Sequence, residues 1–505
     1  MNRTDSKDFL EREYTGVAPV PSEAAIGHDF PPEPIVSDRA LGVPIGSDLS
    51  PFRELWTIAW PTILTMTSYT VMQFIDAYMV SFVGPTEVAA QGNGGIYSFA
   101  PLAFAMGMLT IVNTFVSQNL GAGHPQRAPR YAWNALWIAV VFWVLLIPFG
   151  LALPSIFQFM HGSSDPTLAR LESQYGQILV FGSIFAMASR SISNFFFGLH
   201  RPKVVFIATV LGNLANVGAN YVLIFGHLGL PALGLAGAAY GTLFGTVIEL
   251  IIPFAVFLGP KMNRELGSRS AWRIDMSAMR DLVRVGWPRS LTFGNELICW
   301  AIFMVLIVGH FGEDSMTAGW ITLRYMHLSF MPATGIGVAV TAMVGKYIGA
   351  GKPDIANQRA YLGVKMAMIY MGICALCFVV FRRSLVGIFL HDENVESAAI
   401  IINIGMKMLI CAAVFQMFDA MAITFSSALA GAGDTVWPGV VNVIASWTFI
   451  IGAGVLFVIL LPQWGSIGPW IGAAAFIISV GTAFFFRWRA GGWRKIKLVN
   501  GPDPL

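Results

Sequence analysis

The chain has 505 residues, 55% of them hydrophobic and only 12% charged, with a net charge of +3 and a mean hydropathy of +0.65. Soluble proteins carry roughly 25% charged residues, so a string of soluble domains is excluded, and so small a charge gives no reason to expect a nucleic-acid partner. Apolar runs of about 20 residues recur instead, each able to cross a hydrocarbon core of roughly 30 Å, which predicts an all-α polytopic membrane protein and excludes a barrel of short alternating strands.

Residues 1–51 are acidic, proline-rich and without an apolar core segment, so they do not read as a signal peptide. A disordered cytoplasmic tail is expected there. Twelve spans follow, near 54–83, 88–119, 128–154, 168–198, 202–226, 234–258, 283–311, 315–347, 357–382, 396–430, 436–461 and 466–488. Several exceed 20 residues and are expected to tilt or to extend past the bilayer.

Span 1 carries Asp76 in MQFIDAYMV, with Gln73 one turn earlier on the same face. Span 5 carries Asn213, Asn216 and Asn220 in GNLANVGANY, the last two sharing a face at i, i+4. Such a face binds an ion or a proton, or bonds neighbouring spans together. Glu249 in span 6 has no evident companion. Span 7 holds Glu296 in GNELICWAIFMVLIVG, span 8 holds Arg324 and His327, and span 10 holds Lys407 and Asp419. His327 reads as a packed polar residue rather than a ligand.

A charge at mid-membrane costs about 3 kcal/mol on the insertion scale, so four acids on spans need a reason. Glu296 lies a dozen residues into its span, or ~18 Å of helix rise. Asp419 lies at a similar distance from the inner end of its own. Two carboxylates at one depth in one half suit a hard cation such as Na⁺, or a proton that they share. The competing reading makes each acid the structural partner of an intramembrane cation, with Lys407, Arg324 and Arg190 available. Gln73, the three asparagines, Glu249, Arg324 and His327 complete the candidate polar cavity. No cofactor is expected beyond a coupling Na⁺ or H⁺.

The cysteines (Cys299, Cys374, Cys377 and Cys411) all fall in apolar segments. Cys374 and Cys377 form a CxxC, but without a second pair or a histidine cluster they read as lipid-facing or packing residues. GLAGAAYGT is a small-residue packing face rather than a phosphate loop. Pro101, Pro253 and Pro332 are expected to kink their spans.

The chain repeats itself. WPTILT at Trp60 returns as WPRSLT at Trp287, VSQNLGAGHPQRA as VGKYIGAGKPDIA, and LPALGLAGAAYG as LPQWGSIGPWIG, at offsets of 227 to 231 that follow from the numbering. A duplicated unit with an even number of spans keeps its orientation, so the halves (52–258 and 280–488) are expected to be related by a two-fold axis along the membrane normal. The basic segment 259–279 links them, and 489–505 forms a second tail. Basic residues such as Arg127, Arg201, Lys261, Lys352 and Arg489 crowd the loops on the side of the N-terminus, against Arg170, Arg382 and Arg383 opposite. By the positive-inside rule both termini are cytoplasmic, in an inner or plasma membrane.

Taken together, the duplicated twelve-span layout, FIDAYMVSFVG around Asp76, GWPRSLTFGNE with its glutamate eight residues after Pro288, and FDAMAITFSSALAGAGDT resemble the multidrug and toxic compound extrusion family. GNLANVGANYVLIFG followed by LPALGLAGAAYGT adds to the likeness, which spans residues 52 to 488. Pairing Glu296 with Asp419 looks NorM-like more than DinF-like. The resemblance implies a cation-coupled antiporter of amphipathic, often cationic compounds, with Asp76, Glu296 and Asp419 in coupling and drug binding. Such a protein needs only its lipid bilayer and small-molecule drugs or metabolites as partners, and is expected to function as a monomer. Ala430 departs from the pattern, since the family usually has arginine before Gly431.

Three other functions compete. A lipid-linked saccharide flippase, or a metabolite exporter of the same superfamily, shares the layout; the flippase is expected to favour a more cationic cavity. A membrane-embedded enzyme lacks any HExxH, nucleophile elbow or paired His/Asp set. A passive channel lacks a recognisable filter.

Overall fold

The structure is a computed structural model that describes residues 50–162, 164–390 and 395–499. The tail expected over the first residues therefore lies outside the described part, apart from its last two residues. The described residues form helices and no strand. In chain order the long helices are α1 (Pro51–Ser81), α2 (Pro85–Gly121), α3 (Pro125–His161), α4 (Pro166–Gly198), α5 (Pro202–Phe225) and α6 (Leu235–Phe257). After a linker with the short helix Pro260–Leu266 come α7 (Met276–Phe311), α8 (Glu313–Gly349), α9 (Pro353–Val380), α10 (Val395–Ala432), α11 (Val436–Leu460) and α12 (Ile467–Arg489). Eleven of them are long and apolar enough to cross a membrane. The remaining one, α1, has 31 residues and is the more polar. The result is a multi-pass membrane protein of twelve helices in two six-helix lobes.

Helix starts follow local chemistry. Ser50 accepts a hydrogen bond from the Arg53 amide, and Asp165 and Asp275 cap α4 and α7 the same way. Proline occupies the first turn of α2, α4, α5 and α9, where its missing N–H is not needed. Interruptions fall elsewhere than at the expected prolines. α2 breaks at Thr110 and Ile111, while α8 runs unbroken through Pro332. Wide π-type turns occupy 303–308 in α7 and 446–453 in α11, a type of interruption common at functional sites.

The repeat is visible atom by atom where the lobes meet. On one side α1 packs on α8: a β-carbon on Gly335 would meet Ile63 Cα at 2.6 Å. On the other α7 packs on α2: a β-carbon on Gly107 would meet Arg289 O at 2.6 Å. Gly107 and Gly335 are equivalent in the two copies, as are Thr62 and Arg289. Nearer the described termini α2 and α8 cross on the pseudo-axis itself. Gly121 lies against the Lys346 carbonyl and Gly349 against the Gln118 carbonyl, again equivalent pairs with no room for a side chain. The two GAG motifs are thus a backbone-to-backbone crossing.

Polar bonds complete this seam. Thr62 Oγ1 donates to Gly335 O at 2.8 Å, Thr114 Oγ1 to Ala430 O at 2.9 Å and Gln118 Nε2 to Gly431 O at 2.9 Å, while His200 Nε2 meets Ala342 O at 3.1 Å. Glu54 of α1 accepts from Arg359 of α9 and Tyr347 of α8. These bonds all lie in the half that holds residues 50 and 499. In the other half no hydrogen bond ties the lobes among the described residues.

Candidate functional site

The two lobes place their intramembrane acids in different ways. In the second lobe, α7 rises from the terminus side while α10 descends towards it, and Arg289 Nη1 donates to Ser426 Oγ at 2.8 Å between them. That bond sets the register. Seven residues further along α7 stands Glu296, and seven residues back along α10 stands Asp419. Seven residues is two helical turns, so both acids lie two turns beyond the Arg289–Ser426 bond on facing helices. Asp419 lies in the electrostatic field of Glu296, and Glu296 in that of Arg289. The rotation of α7 is fixed by the neighbouring Asn295, which donates to Ser446 Oγ at 2.8 Å and accepts from Trp447 Nε1 at 2.8 Å. Both contacts sit at the wide turn of α11.

Neither Glu296 nor Asp419 makes a hydrogen bond or an ion pair with the protein among the described residues, and both are partly exposed. Their oxygens are free for a ligand. A carboxylate inside a membrane without a partner is expensive, so this pair is the part of the molecule least explained by packing. Arg324 and Lys407, both weighed as counter-charges, do not serve here. Arg324 lies over the Phe389 ring at 5.8 Å, and Lys407 is exposed. The cation beside Glu296 is Arg289, which the sequence reading did not single out. Exposed His327 likewise joins none of these bonds.

The first lobe holds its acids tightly. Asp76 is buried and accepts from Asn220 Nδ2 at 2.6 Å, and Asn220 Nδ2 also reaches Asn216 Oδ1 at 3.4 Å. Thr242 of α6 and Asn216 also face the Asp76 carboxylate. Two buried asparagine atoms, Asn216 Nδ2 and Asn220 Oδ1, have no hydrogen-bond partner. This cluster is built by glycine packing: a β-carbon on Gly245 would meet Asn216 Cβ at 2.6 Å, and Gly241 lies directly against the Asn220 amide. The small-residue face read in GLAGAAYGT is therefore what brings the asparagines to Asp76. Asn213 goes a different way and bonds Ser68 Oγ at 2.6 Å, joining α5 to α1. Gln73 is exposed and takes no part.

Glu249 does have companions, contrary to the expectation from sequence. It accepts from Tyr69 Oη and from Thr209 Oγ1, the latter at 2.9 Å, with Arg190 of α4 in its field. The partners sit on three other helices, which a linear reading cannot align. One signal was present: Tyr69 occupies in the first copy the position that Glu296 occupies in the second. Arg190 Nε is buried with no hydrogen-bond partner, and Arg190 also lies in the field of Arg289 across the lobe boundary.

The remaining motif residues are structural. Ala430, where arginine is usual, is 4% exposed and its carbonyl receives Thr114, so a long side chain would have to leave the seam. Asp434 accepts from Arg487 Nε at 2.8 Å; burial raises its carboxyl above the usual range and Arg487 opposes the rise. Among the described residues no group of three or more His, Cys, Asp or Glu side chains could hold a metal ion.

Comparison with known proteins agrees with this architecture. The MatE family model matches residues 61–222 and 295–455, one match in each copy. The "Multidrug resistance protein NorM" of Burkholderia vietnamiensis is 28% identical over 437 residues, covering 86% of this chain and 92% of that protein. A "Probable multidrug resistance protein NorM" of Mesorhizobium japonicum is 27% identical over 443 residues, covering 86% and 93%. Among solved structures, a MOP superfamily transporter from Pyrococcus furiosus superposes with a TM-score of 0.80 at 20% identity, over 92% of this chain and 100% of that one. A multidrug resistance MATE family transporter in an outward-facing conformation gives the same TM-score, identity and coverage. The chain is a NorM-like member of the MatE family, the multidrug and toxic compound extrusion transporters.

Proposed function

We propose that this protein exports amphipathic organic compounds by alternating access, driven by Na⁺ or H⁺ flowing inward. The observation that carries the reading is the unpartnered pair Glu296 and Asp419, held on facing helices of one lobe and left free of protein bonds. A small cation landing there neutralises charge that is otherwise costly in a membrane. Competition between that cation and a solute for the same oxygens makes affinity differ between conformations, and that difference is what moves a two-state equilibrium.

The seam supports an outward-facing arrangement. With both termini in the cytoplasm, as the basic loops indicate, the lobes are bonded on the cytoplasmic side and unbonded on the other. The energetics suffice: one charge crossing 100 mV releases about 2.3 kcal/mol. At roughly 1.4 kcal/mol per tenfold ratio this sustains a solute gradient of order 40-fold before any ion gradient is added.

Purified protein in liposomes, loaded with a fluorescent cationic amphipath, tests the reading under separately imposed Na⁺ and pH gradients. Efflux that follows one of the two gradients supports it. Solute flux that is indifferent to both would remove the coupling step.

A further inference from the structure

We propose that the linker between the lobes is a membrane anchor. Trp272, Ile274 and Met276 dip into the leaflet on the side of the described termini, and Arg269 and Arg273 hold the phosphate of an anionic phospholipid there. The site lies on the lipid-facing surface and is independent of the export reading.

Two tryptophans of α3 fix the linker in place. Trp133 Nε1 donates to Ser268 O at 2.7 Å, and one turn further along the helix Trp137 Nε1 donates to Trp272 O at 3.0 Å. α3 is thereby a ruler of depth. Its first turns carry Arg127 and Arg130, the two tryptophans follow as residues of a membrane interface do, and the exposed surface beyond them is Val141, Val144 and Leu145. The Trp272 backbone therefore lies where the surface of α3 turns from aromatic to aliphatic. From there the chain is extended, with φ −66° and ψ 145° at Arg273 and φ −111° and ψ 104° at Asp275. Extended backbone alternates its side chains, so Trp272, Ile274 and Met276 share a face, and they are 53%, 57% and 70% exposed. Asp275, on the other face, turns to Arg130 at 3.4 Å. Three large apolar side chains pointing off the protein, continuous with the lipid-facing surface of α3, have hydrocarbon as their partner.

Charge selects the headgroup. The two acids of the linker are already engaged: Glu265 pairs with Arg201 at 3.1 Å and with Lys261 at 4.0 Å, and Asp275 pairs with Arg130. Arg264, Arg269 and Arg273 are exposed and form no ion pair among the described residues. Arg269 spends Nε on the Leu258 carbonyl, a neutral acceptor, at 2.7 Å. The long stems of Arg269 and Arg273 let their guanidinium groups reach the phosphate layer while Trp272 and Ile274 stay below it. A guanidinium fork matches phosphate oxygens in a bidentate way, and a basic segment at the bilayer surface draws anionic lipids over zwitterionic ones. The same segment joins the lobes, so the lipid holds that join at the bilayer surface.

The test uses the full-length protein in lipid nanodiscs, with Cys299→Ala, Cys374→Ala, Cys377→Ala and Cys411→Ala, and with Ile274→Cys carrying a nitrobenzoxadiazole dye. A second preparation carries the dye at Lys261→Cys, an exposed polar position of the same linker. Spin-labelled lipids quench a dye in the bilayer, and iodide quenches one in water. The dye at position 274 is expected to be quenched by the lipids and shielded from iodide, and that at position 261 to show the reverse. Iodide reaching both equally overturns the proposal. Phosphatidylglycerol and phosphatidylcholine bearing the same spin label, compared at equal mole fraction, then report the headgroup beside position 274. Phosphatidylglycerol should quench more at low salt, and that preference should fall by about fivefold for each of Arg269→Gln and Arg273→Gln. With both arginines present it should also fall in about 0.5 M NaCl, which screens surface charge. The salt comparison decides the matter even where an arginine variant is poorly expressed. Equal quenching by the two lipids at low salt, or a preference that salt leaves unchanged, overturns the proposal.

Discussion

Glu54, in the first turn of α1, accepts hydrogen bonds from Arg359 at Nε and forms an ion pair with its Nη2, both at 2.8 Å, across the lobe boundary. Tyr347 donates to the other oxygen at 2.6 Å, and Lys346 Nζ stands 3.9 Å away. All three charged side chains are at most 10% exposed. The position equivalent to Glu54 in the second copy is Asp281, which among the described residues has only a 3.5 Å bond from Tyr131. The pseudo-symmetric seam is therefore latched unequally.

Breaking a buried pair from one side leaves an uncompensated charge and costs about 3 to 5 kcal/mol. Glu54→Gln should accordingly weaken the bonded seam strongly, and Asp281→Asn by less than about 1 kcal/mol. Spin-label distances across the terminus side should lengthen in the first variant and stay put in the second. Equal lengthening in both would show that the latch is symmetric.

Gly121 and Gly349 face backbone carbonyls at the helix crossing. Backbone cannot rotate away as a side chain can, so Gly121→Ala and Gly349→Ala should each disfavour the bonded arrangement. Because the two positions are related by the pseudo-axis, their effects on thermal stability should agree within about 1 kcal/mol. A harmless alanine at either site would mean that the seam opens in the resting protein.

Glu296→Gln and Asp419→Asn should each abolish drug resistance in cells while leaving the protein expressed in the membrane. Asn220→Ala acts differently. It leaves the Asp76 carboxylate short of its donor, a loss of about 1 to 3 kcal/mol for a buried charged acceptor, and should lower melting temperature as well as transport. Resistance assays set beside membrane immunoblots and melting curves separate the two behaviours.

His200, in the turn between α4 and α5, is held neutral: burial first, and then the Lys346 ammonium, push its imidazole down to about 3. An unfolded histidine titrates near 6.5. Below that pH the unfolded chain binds a proton that the folded one refuses, so stability falls as pH drops from about 6.5 towards 3. His200→Gln keeps a donor for the Ala342 carbonyl and removes the titration. Its melting temperature should fall less steeply between pH 7 and pH 5 than that of the wild type, and parallel slopes would show that His200 is not responsible.

Much of this protein was legible from the chain alone. The hydrocarbon thickness fixes span length, and so the twelve spans could be read from apolar runs; a constant offset between copies revealed the duplication. Glu296, Asp419 and Asp76 stood out because an acid in an apolar run is costly wherever it points. What those acids face was decided elsewhere. Glu249 acquires Tyr69, Thr209 and Arg190 from three other helices, Arg289 displaces Arg324 and Lys407 as the cation near Glu296, and Asn213 turns to Ser68 and not to Asp76. Hydropathy reports burial in lipid, which depends on each residue separately. Partnership depends on the register and rotation of packed helices, set here by glycine crossings and single bonds such as Arg289–Ser426, and these exist only once the chain has folded.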